Sequence, residues 1–185
     1  MSIRYSAVLA ICLSLPMLTN CAVMRATDPP AGPAYSQLQQ SFPPIPDKMA
    51  RVVFFRRHAY GGSMMQIAVT EAGRSVGTNY DGSIFYADVA SGHREFAFTN
   101  PSMISIGKGH MPVDVLAGQI YYVELFVPGA TIGLSSGGFA NLPGSHPIDS
   151  EAENHCSLDI CAHLVNAEVA QPVIGSLIFN GRNGS

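Results

Sequence analysis

The reading of the fold turns on Ser83-Ile84-Phe85-Tyr86-Ala87-Asp88-Val89, a Ser91-Gly92 break, and then His93-Arg94-Glu95-Phe96-Ala97-Phe98-Thr99. Phe96 and Phe98 fall on one side of their run. Alternation of this period, cut by a glycine turn, is the signature of strands. Runs of the same kind extend outward in both directions. Upstream, Arg51-Val52-Val53-Phe54-Phe55-Arg56-Arg57 is apolar on both faces and suits a central strand. Ser63 to Glu71 sets Met65, Ile67 and Val69 on one face against Gln66, Ala68 and Thr70 on the other, and a turn at Ala72-Gly73-Arg74 leads to a short strand ending near Gly77. Downstream, Met111 to Leu116 and Gln119 to Val127 read as a further hairpin joined through Ala117-Gly118.

Strands at this spacing, with short turns and no helical periodicity between them, argue for an all-β, antiparallel sandwich of the immunoglobulin-like kind and against a parallel α/β sheet. About seven strands fit. The segment from Pro128 to Pro147 is rich in Gly and Ser, and Leu164 to Phe179 reads as a strand followed by a short C-terminal helix broken near Pro172. The domain is expected over residues 49–180, with a disordered tail at 181–185.

Composition bounds the rest. The chain has 185 residues, 47% hydrophobic and 12% charged, which allows about one domain. A formal charge of -3 leaves no positive excess to neutralise a phosphate backbone, so nucleic acid is excluded as an expected partner. The one long uncharged apolar run lies at the N-terminus and is too short for an ordinary spanning helix.

That run is an address. Met1 to Arg4 give a short positive start, and Tyr5 to Leu18 supply an apolar core of signal-peptide length. Leu18-Thr19-Asn20-Cys21 resembles a bacterial lipobox, in which the cysteine is acylated and becomes the new N-terminus; Asn20 departs from the small residue preferred there. Residues 1–20 are thus expected to be a lipoprotein signal peptide and Cys21 the lipidation site, with acyl chains contributing roughly 0.8 kcal/mol per buried methylene to membrane attachment. Ala22 stands where an Asp would, by resemblance to the enterobacterial sorting rule, favour the inner membrane. The periplasmic face of the outer membrane is the expected location. Six prolines between Ala22 and Lys48 (Pro29, Pro30, Pro33, Pro43, Pro44 and Pro46) have the composition of an extended spacer, so residues 21–48 read as a lipidated cysteine and a Pro-rich linker.

Four motifs invite a family comparison: Ala50 to Arg56, Val76-Gly77, Gly82 to Val89 with Ser91-Gly92-His93, and Leu116-Ala117-Gly118-Gln119-Ile120-Tyr121-Tyr122-Val123. Together they resemble the bacterial lipoprotein family catalogued as domain of unknown function family 2846, with the logic of PEGA-type envelope modules. A weaker echo lies in Leu164 to Glu168. The resemblance covers roughly Arg51 to Val127 and implies an exported, commonly lipid-anchored β-sandwich with no assigned activity.

Chemistry-bearing residues are sparse. With the leader removed and Cys21 acylated, Cys156 and Cys161 remain, and an even pair in an oxidising compartment is most simply a disulfide. The competing reading is metal, because His155, Cys156, Cys161 and His163 lie within nine residues, although four ligands so close would strain a tetrahedral site. Gly133-Leu134-Ser135-Ser136-Gly137 matches the nucleophile-elbow pattern, with Asp149 and His155 downstream, yet the elbow needs a strand-to-helix turn above a parallel sheet. The expectation is no catalysis, no cofactor and no metal, with an envelope enzyme using Ser135 and His155, or a metal protein using the Cys/His cluster, as the alternative. Asp81, Asp88, Asp114 and Glu124 are expected in turns or on solvent faces. Arg56-Arg57-His58 could meet anionic lipid, but three such residues at a strand end are usually only a hydrophilic boundary; Tyr60, Tyr80, Tyr86, Tyr121 and Tyr122 could include a stripe for an envelope protein or glycan partner, though ordinary sheet packing explains most of them equally well.

Overall fold

The computed structural model describes residues 31–59, 65–101, 109–127, 155–156 and 160–181. Nearly everything regular in it is strand. A six-stranded sheet has the order β10 (Ile178–Phe179), β4 (Ser83–Ala90), β1 (Met49–Phe55), β7 (Ile120–Phe126), β9 (Cys161–Val165) and β8 (His155–Cys156). A four-stranded sheet has the order β3 (Arg74–Asn79), β2 (Ile67–Glu71), β5 (Gly92–Thr99) and β6 (Gly109–Val115). Short helices α1 (Tyr35–Leu38) and α2 (Ala167–Ile174) complete the described elements.

The two sheets face each other across one core, because alternate residues of each strand are apolar. Val52 and Phe54 of β1, Phe85 of β4 and Leu125 of β7 meet Val69 of β2, Phe96 and Phe98 of β5 and Met111 of β6. Phe54 sits at its centre, stacked on Phe85 and edge-on to Phe96, each with ring centroids 5.1 Å away. Gly77 is required by the same packing: a Cβ there would lie 2.6 Å from the Phe85 ring.

The mainly β, two-sheet architecture agrees with the sequence reading, and the ten strands among the described residues exceed the seven expected. The pairing is also mixed where only antiparallel pairing was expected. β1 runs antiparallel to β4 but parallel to β7, and β10 runs parallel to β4. Two expected turns behave differently from the pattern. Ala72 and Gly73, at φ 47° and 77°, do close a true β2–β3 hairpin, as the primed turns that match strand twist require. The Ala117-Gly118 turn does not close a hairpin: β6 lies in the four-stranded sheet and β7 in the six-stranded one. Ser91-Gly92 makes the same kind of corner between β4 and β5. Both corners use a glycine at positive φ, Gly92 at 117° and Gly118 at 77°. A corner and a hairpin carry the same inward alternation, because in both cases the inward residues join one core.

The larger correction concerns the expected linker. Its described part, residues 31–48, packs on the outer face of the six-stranded sheet and forms a third layer with α2. Tyr35 is buried at 4% exposure, and with Phe42 it packs over Val53, Phe55, Ile84, Tyr86 and Tyr122. Phe42 lies 5.0 Å from both Tyr86 and Phe179 and 5.3 Å from Tyr35, centroid to centroid. The backbone is fixed too. Tyr35 N donates to Leu177 O at 2.8 Å, Ser36 N to Gly175 O at 3.2 Å, and Phe179 N to Pro33 O at 2.9 Å. This cover explains why β1 is apolar on both faces: each face has a layer over it.

The C-terminal helix is present. Asn166 caps α2 by accepting from Val169 N at 3.0 Å, and the helix runs through Pro172 to Ile174 rather than breaking at the proline.

Candidate functional site

Every polar cluster on the described residues can be traced to the elements that hold it. One lies under the cover. Arg51 stands in an otherwise apolar strand, and a lone charge there requires a partner. Cross-strand register supplies Asp88 directly opposite on β4. The pair is bidentate, Arg51 Nε donating to Asp88 Oδ1 at 2.8 Å and Nη2 to Oδ2 at 3.0 Å, with side chains 7% and 2% exposed. The guanidinium also lies 4.1 Å from the Tyr86 ring centre. Burial opposes its charge, but the hydrogen bond and the charge of Asp88 outweigh that and raise the Arg51 pKa.

Tyr35 covers this pair. Its hydroxyl is pushed up to about 12, first by burial and then by Tyr122, with Arg51 acting in the opposite direction. Stability follows from the sign. Because the folded-state value exceeds the unfolded value near 10, the contribution is complete below about pH 10 and is lost as pH rises toward 12, a difference of about 2–3 kcal/mol. A Tyr35→Phe chain is expected to show a flatter decline over that window in urea titrations at stepped pH; parallel curves would place Tyr35 in solvent.

A second buried carboxylate, Glu124 of β7, is 2% exposed and lies between β1 and β9. Arg57 Nη2 donates to its Oε2 at 3.1 Å, and Arg57 Nε lies 2.8 Å from Oε1 without the alignment of a hydrogen bond. His163, opposite Glu124 in the β7–β9 register, approaches Oε2 at 3.4 Å and packs on Phe126. At the end of β1, Arg56 is 1% exposed, donates to Met65 O at 2.7 Å and lies 3.8 Å from Asp81. Burial lowers its pKa, with Asp81 acting the other way. Asp81 also contacts His58 and accepts from Ala59 N at 3.0 Å.

These positions revise one expectation and bear on two alternatives left open. Asp81, Asp88 and Glu124 have side chains 8%, 2% and 2% exposed rather than solvated, because the cover and the strand ends enclose them. Of the three, Asp88 and Glu124 lie on the sheet face that had been taken as open. Arg56 and Arg57 are turned to internal carboxylates, which leaves the basic triplet unavailable as a lipid-facing patch. The tyrosine stripe does not form: Tyr86 and Tyr122 are buried, Gln171 Nε2 donates to the Tyr122 hydroxyl at 2.7 Å, and Tyr121 packs partly on the inter-sheet core. Tyr60 lies outside the described residues.

Among the described residues nothing covers the outer face of the four-stranded sheet. A shallow concavity of about 320 Å³ there is lined by Thr70, Glu71, Arg94, Glu95, Ala97 and His110, among others. Its charges are paired across strands. His93 meets Asp114 at 2.9 Å, His110 meets Glu95 at 3.0 Å and Arg94 donates to Glu71 at 3.2 Å. The mixture of signs favours neither an anion nor a cation, and its groups offer hydrogen bonds rather than a poised nucleophile. His93 and His110 lie on the surface as expected.

Of the other sequence-derived site residues, Cys21, Ser135 and Asp149 lie outside the described residues. The backbone of β8 and β9 pairs Cys156 with Cys161 and His155 with Ala162. Among the described residues no group of three or more His, Cys, Asp or Glu is placed to hold a metal ion. No helix among them is long and apolar enough to cross a membrane. The Arg51–Asp88 pair was missed by sequence reasoning, although a single charge in each of two apolar strands was the available signal. Comparison with known proteins adds no assignment: no family model, no curated protein and no solved structure matches the chain.

Proposed function

We propose that this chain is a lipid-anchored bacterial envelope protein, a non-catalytic binding or accessory module held by acyl chains on Cys21 at the periplasmic face of the outer membrane. The observation that carries the reading is Leu18-Thr19-Asn20-Cys21, placed directly after an apolar run of leader length and ahead of a β domain. The two-sheet architecture supports an exported module of the immunoglobulin-like or PEGA-like kind, and the motifs quoted above support kinship with family 2846. The ion pairs described above link neighbouring strands and strand ends, which supports a scaffold role. A neighbouring envelope protein or glycan is the proposed partner.

Cys156 and Cys161 are proposed as a disulfide. Their direct cross-strand register supports it, since opposed residues of an antiparallel pair bring Cα atoms to about 4.5–5.5 Å, within the range a disulfide spans. The bridge would staple the β8–β9 hairpin.

Intact mass of the protein purified from envelopes without reductant tests both parts. The expected species lacks the first 20 residues, carries acyl mass on Cys21 and gains two alkylation sites only after reduction. An unacylated chain with two free thiols would remove anchor and staple together, and would bring the His155, Cys156, Cys161 and His163 metal alternative forward.

A further inference from the structure

We infer that the domain is held against the surface of the membrane that carries its anchor, on a leash less than half as long as its proline-rich composition suggests. The inference rests on the reading of Cys21 as the acylated residue and deepens it by naming the bilayer surface as the domain's working neighbour.

The fixed point is Gly32. A Cβ at that position would lie 2.6 Å from Phe179 O, so the chain passes β10 in backbone contact. Pro33 O accepts from Phe179 N, and Ala34 bridges Ile178 in antiparallel fashion. From residue 32 onward the chain belongs to the fold. It enters where Ile178 pairs with Ser83, at the start of β4, and reaches Met49 opposite Ala90, at the end of β4. Residues 34–48 therefore run the length of the sheet face, about 20 Å at the rise of a strand.

Chain length then sets the reach. Eleven residues separate Cys21 from Gly32, which span at most about 40 Å fully extended. A spacer lasting to Met49 would span up to about 100 Å. A domain of this size is itself roughly 30–40 Å across. A leash about as long as the domain's own diameter keeps the bilayer surface within constant reach, and it attaches at the sandwich end that carries Ser83 and Phe179. That end is the one tethered to the lipid. The opposite end, with the Ser91-Gly92 and Ala117-Gly118 corners, lies farthest from the attachment and is the one offered to other partners.

The test uses the full, lipidated chain in phospholipid vesicles with an energy acceptor on the headgroups. The donor is a fluorophore attached through an azide-bearing residue at Ser176, an exposed position next to Leu177, whose carbonyl holds Tyr35. A parallel chain carries a 30-residue Gly/Ser insertion after Ala26, which by itself spans roughly 30 Å on average and about doubles the mean reach of the leash. Strong transfer in the parent, falling severalfold with the insertion, is the expected result. Weak transfer that the insertion leaves unchanged, in protein that still floats with the vesicles, would overturn the short leash while leaving the anchor intact. Protein that fails to float would overturn the Cys21 reading, and the inference with it.

Discussion

A chain beginning at Asp47 is expected to lose most of its folded population, whereas a chain beginning at Ala31 should unfold at the same urea concentration as one beginning at Ala22. The first truncation removes Tyr35 and Phe42 and uncovers Val53, Phe55, Ile84, Tyr86 and Tyr122. Burial of a large apolar side chain contributes about 1.5–3 kcal/mol, so the two rings alone account for about 3–6 kcal/mol. That is comparable with the whole stability of an ordinary domain, about 5–15 kcal/mol. The truncation also strips the backbone partners of Leu177, Gly175 and Phe179, which loosens β10 and the end of α2. Urea midpoints followed by far-ultraviolet circular dichroism distinguish the cases. Equal midpoints for all three chains would mean that residues 31–48 contribute nothing, as a stalk would.

Asp88→Ala is the second large effect, an expected loss of about 3–5 kcal/mol, because it leaves the Arg51 guanidinium buried without its carboxylate. Surface pairs behave otherwise: removing one partner of an exposed pair typically costs no more than about 1 kcal/mol. The size of the loss therefore reports the cover as well as the pair. Replacing both partners with leucine is expected to recover most of the stability, since the desolvation cost disappears with the charges. A double-mutant cycle on urea midpoints checks it, with a large coupling energy expected for residues in direct contact. A single-mutant loss below about 1 kcal/mol would place Arg51 and Asp88 in solvent.

The sequence made the strands legible because their alternation is strong. Phe96, Phe98, Ile67 and Val69 all point into the core from the positions their period assigns. It did not reveal which sheet each strand joins. The corners at Ser91-Gly92 and Ala117-Gly118 carry the same glycine punctuation as the real hairpin at Ala72-Gly73, and sheet membership depends on contacts between residues far apart in the chain. The parallel β1–β7 pair is hidden for the same reason, since nearly seventy residues separate Val52 from its partner Tyr121. The cover was obscured by composition. Three prolines among Pro43, Pro44 and Pro46 suggest a spacer, while the two aromatics that anchor the segment, Tyr35 and Phe42, show no periodicity to mark them as core. One clue was present in β1 itself, because a strand apolar on both faces needs a layer on each side, and Val53 and Phe55 implied a covering element. Likewise Arg51 and Asp88, single charges in two such strands, implied each other. The lipidation signal is legible only as sequence, and Cys21 has no packing environment among the described residues from which to argue further.

Amide hydrogen exchange tests the docked cover most directly. Tyr35 N and Ser36 N donate to Leu177 O and Gly175 O, and Phe179 N donates back to Pro33 O, so these three amides are locked only while the segment is seated. They are expected to exchange slowly, with protection approaching that of Val53 and Phe54 at the centre of β1. Exchange of Tyr35 and Ser36 at the rate of an unstructured chain, with β1 still protected, would contradict the three-layer arrangement and return residues 31–48 to the role of a stalk.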